Sequence, residues 1–138
     1  MAAHKVSVQV ALDDTLPPIL ANRVRIQRVL INVLTNAIES VAATRRRKRR
    51  ISIRSALLDG PNVLLEVSDS GIGIAPEEIA QIFEPFFTTK LSGTGLGLSL
   101  SRTIIEEHGG RLWASPNDKH GATFHLQLPC SPHAQTMS

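Results

Sequence analysis

Cysteine is almost absent: Cys130 stands alone in 138 residues. One thiol excludes an internal disulfide, a CxxC redox pair and a cysteine-built zinc site, and it suits a reducing compartment. Long apolar runs are missing too. None approaches the about 20 residues needed to span a bilayer, and the N-terminal MAAHKVSVQV has no signal-peptide core. A soluble domain without membrane contact is expected. No GxxxxGK followed by Ser or Thr occurs, which excludes a Walker A phosphate loop. The glycines of GTGLGL are spaced GxGxG and follow a loop instead of a strand, so a Rossmann reading fails as well.

An apolar share of 42% is enough for one core in one domain, set at residues 1–130 with a polar tail at 131–138 expected to be disordered. The formal charge of +3 is local in origin. Arg45 to Arg50 supply six positive charges, without which the balance would be negative. Such a run can bind nucleic acid or an acidic partner, but no aromatics interleave it for base stacking, and a solvated loop is the favoured reading.

Along the chain, Val6, Val8 and Val10 alternate with polar residues as in a half-buried strand. Pro17 and Pro18 close that segment. From Asn22, a suitable N-cap, the residues Ile26, Val29, Leu30, Val33, Ala37 and Val41 form a helical stripe. Asn32 and Asn36, four apart, project side by side from it. Ile51 to Leu58 and Val63 to Ser68 read as strands joined at Asp59-Gly60. Pro76, Glu77 and Glu78 then open a short helix, PEEIAQIF, with Phe83 toward the core. A last helix runs from Gly95 to Glu107 and is closed by Gly109. His108 caps or packs, and Arg111 to Ala114 with Ala122 to Leu128 make a final hairpin.

Two glycine-rich runs, DSGIGI from Asp69 and GTGLGL from Gly93, bracket IFEPFFTTK. Glycine backbone can approach a ligand closely, and two such runs in a small chain suggest two walls of one nucleotide pocket. The second run leads into a helix whose free N–H groups favour a phosphate. Asp69, after a strand, can accept a hydrogen bond from a base amino group.

NVLTNAIES around Asn36, DSGIGI, EPFFTTK around Phe86 and GTGLGL stand in the order of the N, G1, F and G2 boxes of sensor histidine kinases. From about Val6 to Leu128 the chain resembles the catalytic ATP-binding domain of that family, with the short lid pattern of the nitrogen-fixation and nitrogen-regulation sensors. The resemblance implies the GHKL ATP-binding fold, an α/β sandwich with helices on one face of a mixed sheet, and a protein-histidine kinase using ATP and Mg2+. It implies Asn36 as the magnesium ligand and Asp69 as the adenine selector, with Gly71, Gly73 and Ile74 shaping the base pocket. Phe86 and Phe87 read either as core aromatics or, by the resemblance, as anchors of the ATP lid, and Thr88, Thr89, Lys90, Gly93, Thr94, Gly95, Leu96, Gly97 and Leu98 would supply lid and phosphate contacts. Thr123 is assigned to the nucleotide site, Lys90 to the phosphate as its cation, and Asn32 to the position where hydrolysing relatives carry a glutamate base.

Glu39, Ser40 and Thr88 depart from better-known members, which carry a lysine, an aromatic residue and an arginine at those places. None of His4, His108, His120, His125 and His133 sits in a phosphoacceptor pattern. The implied partners are therefore a dimerisation domain carrying that histidine, in a kinase that is a homodimer only at full length, and a response regulator; the implied location is cytoplasmic. A hydrolysing ATPase of the same superfamily is the rival reading, and a nucleic-acid module using Arg45 to Arg50 the weaker one.

Overall fold

The computed structural model describes residues 6–13, 15–17, 19, 21–44, 49–58, 62–85 and 97–130. In chain order these form β1 (Ser7–Ala11), α1 (Arg23–Ala43), β2 (Arg50–Leu58), β3 (Asn62–Asp69), a single 3-10 turn (Pro76–Glu78), α2 (Gly97–Glu107), β4 (Arg111–Pro116) and β5 (Ala122–Pro129). The five strands make one sheet in the order β1-β2-β3-β5-β4. β1 runs parallel to β2, which requires a crossover, and α1 is that crossover; the other pairs are antiparallel.

Both helices cover one face, α1 over β2 and β3 and α2 over β4 and β5. Val29, Val33, Ala37 and Val41, spaced one turn apart, give α1 a fully buried stripe. It meets Ile51, Val67, Phe124, Leu126 and Leu112, which alternate on the helix side of their strands. The other face is polar: Ser52, Ser68, Thr123 and Ser115 lie in one row, and Arg54, Glu66, His125 and Trp113 in the next.

Asn22 caps α1 as its residue type predicts, with Oδ1 accepting the Arg25 N–H at 3.1 Å. Its own N–H reaches His108 Nε2 at 3.1 Å, while His108 Nδ1 lies 2.7 Å from the Ile104 carbonyl. One ring thus joins the start of α1 to the end of α2, beside an Arg25–Glu107 ion pair. Gly109, at φ +77°, ends α2 in a Schellman arrangement: Gly110 N–H bonds to Ile105 O at 2.9 Å and Gly109 N–H to Glu106 O at 3.0 Å.

Three expectations change. β1 is a strand but not half-buried: Val8 and Val10 are each 57% exposed, because among the described residues the helices pack chiefly on β2 to β5, while Val6 packs against the core. PEEIAQIF is one 3-10 turn followed by irregular turns, although Phe83 is buried against Phe124 as expected. Arg49 is not a solvated loop residue, since its guanidinium donates to the Val41 and Thr44 carbonyls at 2.9 Å each and closes the C-terminal end of α1. Arg45 to Lys48, the Asp59-Gly60 turn, and the tail at 131–138 lie outside the described residues.

Candidate functional site: an apolar cleft with one buried carboxylate

Strand alternation decides where Asp69 goes. It follows Val67 by two residues, so it shares the helix side of β3, at the point where the strand runs out beneath α1. The residue is only 5% exposed. Oδ1 accepts the Ser40 hydroxyl and the Gly71 N–H, both at 2.9 Å, and the Ala122 backbone N–H donates to the carboxylate as well. Burial pushes the carboxyl above its ordinary value, and the hydrogen bonds from Gly71, Ser40 and Ala122 offset part of that push.

The loop after β3 is shaped by close approach. A Cβ on Gly71 would lie 2.3 Å from the Ser40 carbonyl, so this glycine is needed for packing against α1. Gly73, at φ +77°, turns the chain back while its N–H points to Ser40 Oγ at 3.3 Å. From the other side, Asn117 Nδ2 donates to the Asp69 carbonyl at 2.8 Å and ties the β4–β5 turn to the end of β3.

Between these pieces opens a cavity of about 290 Å3. Asn36, Glu39, Ser40 and Ala43 of α1 form one wall; Asp69, Ile72, Gly73 and Ile74 form the next; Glu78, Ile82, Leu98, Ala122 and Phe124 complete the described lining. A mostly apolar slot with a few convergent polar groups suits a flat aromatic ring that carries a hydrogen-bond donor.

A family model for the histidine kinase-, DNA gyrase B-, and HSP90-like ATPases matches residues 21–132. The chain belongs to that family. Sensor protein FixL of Bradyrhizobium diazoefficiens is 44% identical over 128 residues, covering 93% of this chain and 25% of the relative. Sensor histidine kinase ZraS of Escherichia coli is 39% identical over 127 residues, 92% of this chain and 26% of the relative. The chain thus spans about a quarter of the length of these relatives. Among solved structures, the catalytic domain of histidine kinase ThkA superposes with a TM-score of 0.79 at 38% identity, covering 94% of this chain and 82% of that one. The mixed sheet with helices on one face is the GHKL ATP-binding fold, and the domain is of the histidine kinase catalytic type.

In this kinase-type domain the expected site residues fall into four groups. Asn36, Asp69, Gly73, Ile74 and Leu98 come together around the cavity, and Gly71 backs it. Asn32 and Gly97 stand beside it as a joint: Asn32 Nδ2 donates to the Gly97 carbonyl at 3.3 Å and to Ser101 Oγ at 3.1 Å, fixing the first turn of α2 to α1. Thr123 is a correction. Its odd place in β5 sends it to the polar face, where Oγ1 bonds to Asn117 Oδ1 at 2.6 Å and Ser68 Oγ at 3.0 Å, while its neighbours Ala122 and Phe124 face the cleft. Phe86, Phe87, Thr88, Thr89, Lys90, Gly93, Thr94, Gly95 and Leu96 lie outside the described residues.

Among the lining residues to which the motifs assign no role, Ser40 is the one whose side chain bonds to Asp69. A signal existed: Asn32, Asn36 and Ser40 follow at intervals of four, a polar row on one face of a very apolar helix. The partner of Ser40, twenty-nine positions away, was invisible.

Proposed function

We propose that the cleft binds Mg-ATP and that the domain presents the γ-phosphate to a histidine on a dimerisation domain elsewhere in the same kinase. The observation that carries this reading is the buried Asp69 carboxylate, held by three donors at the edge of an apolar slot. In that setting an ionised carboxylate accepts the amino group of adenine, and the slot takes the ring.

Asn36 fits a magnesium ligand. Its Nδ2 is turned back onto the Asn32 carbonyl at 2.8 Å, so the pole that a cation can use is the amide oxygen, a hard neutral donor. Among the described residues no group of three His, Cys, Asp or Glu could hold a metal alone, which suits an ion that arrives with the phosphates. Magnesium supplies charge neutralisation on those phosphates. The chain's own residues hold and orient: Asp69 the base, Ile74 and Leu98 its faces, and Lys90 with Gly93, Gly95 and Gly97 the phosphate end.

Hydrolysis is not favoured, because the amide of Asn32 cannot act as a base and its nitrogen is engaged in holding α2. A solved ThkA structure, with a TM-score of 0.74 at 35% identity and covering 93% of this chain and 35% of that one, holds that kinase in complex with its response regulator TrrA. A response regulator is proposed as the downstream partner here too. No helix among the described residues is long and apolar enough to cross a membrane, and a cytoplasmic site of action completes the proposal.

Calorimetric titration of ATP into the domain and into Asp69→Asn tests the central step. The variant is expected to lose binding by about a hundredfold, since an amide cannot present both acceptors of a carboxylate. Equal affinity in a folded variant would remove adenine recognition from Asp69.

A further inference from the structure

The polar row of α1 ends in a side chain that works differently from the two before it. Asn32 joins helices and Asn36 turns its nitrogen onto its own helix. Ser40 instead makes three contacts with the glycine-rich loop. Oγ lies 2.9 Å from Asp69 Oδ1, the same Oγ receives the Gly73 N–H at 3.3 Å, and the Ser40 carbonyl receives the Ile72 N–H at 3.2 Å. The direction of the hydroxyl proton is fixed by its neighbours. Gly73 N–H can only donate, so the hydroxyl oxygen accepts there, and its one proton goes to the carboxylate.

We propose that Ser40 is a positioning and specificity residue: by donating to Asp69 it holds the carboxylate as a pure acceptor in one orientation, so that the cleft takes a purine with an amino donor and rejects one with a carbonyl. The proposal rests on the reading that Asp69 faces the base. An ionised carboxylate has about four lone-pair sites, and Ser40, Gly71 and Ala122 take three of them. What remains suits a single incoming N–H.

Remove the Ser40 donor and the balance moves. Burial already pushes this carboxyl toward its neutral form, and the Ser40 hydrogen bond is one of the contacts opposing it. A protonated Asp69 carries an O–H, which can donate to the carbonyl of hypoxanthine or guanine.

The test compares ADP with IDP, whose bases differ by an amino group against a carbonyl, without magnesium so that Asn36 contributes little. Affinities are measured by calorimetry from acid to mildly alkaline pH for the unmutated domain, Ser40→Ala and Ser40→Thr. Ser40→Ala is expected to weaken ADP about tenfold near neutral pH, the scale of one hydrogen bond to a charged group, and IDP less, so that the ADP:IDP preference falls. The pH below which ADP binding is lost should move upward. Ser40→Thr, which keeps the hydroxyl, should restore both the preference and the midpoint.

An unchanged ADP:IDP ratio and an unchanged pH midpoint in Ser40→Ala would overturn the proposal even if overall affinity dropped, because a merely structural role moves affinity alone. Should Ser40→Ala fail to fold, Ser40→Cys keeps the volume with a weak donor and carries the same comparison. If the unmutated domain shows no preference for ADP, or Asp69→Asn binds ADP as well as it does, the base-reading role of Asp69 itself fails and the proposal falls with it. That outcome is distinguishable from a failure of Ser40 alone.

Discussion

Asp69 is held where burial works against its ionised form. Burial raises its pKa in the folded domain, so its contribution favours folding below the ordinary carboxylate range and is lost as pH rises through the folded value. Near neutral pH the ionised form therefore costs stability, and Asp69→Asn should hold its thermal midpoint while losing ATP. A substitution at Asn36 tests the proposed metal contact apart from base recognition. Asn36→Ala is expected to weaken Mg-ATP about tenfold while metal-free ADP binding is nearly unchanged, read by paired titrations with and without magnesium. Equal loss for both ligands would point instead to a disturbed α1.

The elements carry their own devices, and these lie away from the cleft. α2 ends through a left-handed Gly109, where an added Cβ would meet only Pro129 Cγ at an ordinary 3.6 Å. The penalty of Gly109→Ala is thus conformational, about 1–2 kcal/mol, and should appear as a lower urea midpoint with unchanged nucleotide affinity. On the polar face of the sheet, burial pushes the Glu66 carboxyl up, but Arg54 and His125, the latter 2.7 Å away, outweigh it and hold it below its usual range. A depressed pKa means stability present above the ordinary carboxylate value and lost as pH falls through the folded value. Glu66→Gln should therefore be less stable than the unmutated domain at neutral pH, and the difference should vanish in acid; urea unfolding at several pH values checks it.

At the scale of the molecule, the cleft is assembled from segments distant in the chain: one wall of α1, the loop after β3, the first turn of α2 and the start of β5. The sheet makes this possible, because β3 and β5 are neighbours although residues 70–121, with α2 among them, lie between them in sequence. Lys90 belongs to that intervening segment, outside the described residues. If it contacts the γ-phosphate, Lys90→Ala should narrow the affinity difference between ATP and ADP without altering ADP binding. In a reconstituted reaction with the dimerisation domain, the same variant should slow phosphohistidine formation. A normal rate and a normal ATP:ADP ratio would remove Lys90 from the phosphate site.

Elements and motifs were legible wherever the signal is local. The 3.6-residue stripe from Ile26 to Val41, the Asn22 cap, Gly109 as the end of α2, and the alternation of β3 and β5 are all written within a few positions of one another. The four ordered boxes likewise revealed the family, because such boxes are contiguous words. What the sequence could not decide depends on neighbours far along the chain. Val8 and Val10 alternate like buried residues, yet they are exposed because, among the described residues, the helices pack chiefly on β2 to β5. Thr123 sits inside a site-like run, but the register of β5 against β3 turns it to the other face. Arg49 lies in a basic run, and only the end of α1 beside it makes it a cap. Ser40 lies four residues beyond Asn36, and its role exists only because the sheet brings Asp69 beneath α1. Period and propensity act over one or two turns of chain, so they fix the elements; burial, facing and pairing are properties of the packed layers, so only the tertiary structure assigned those five residues their parts.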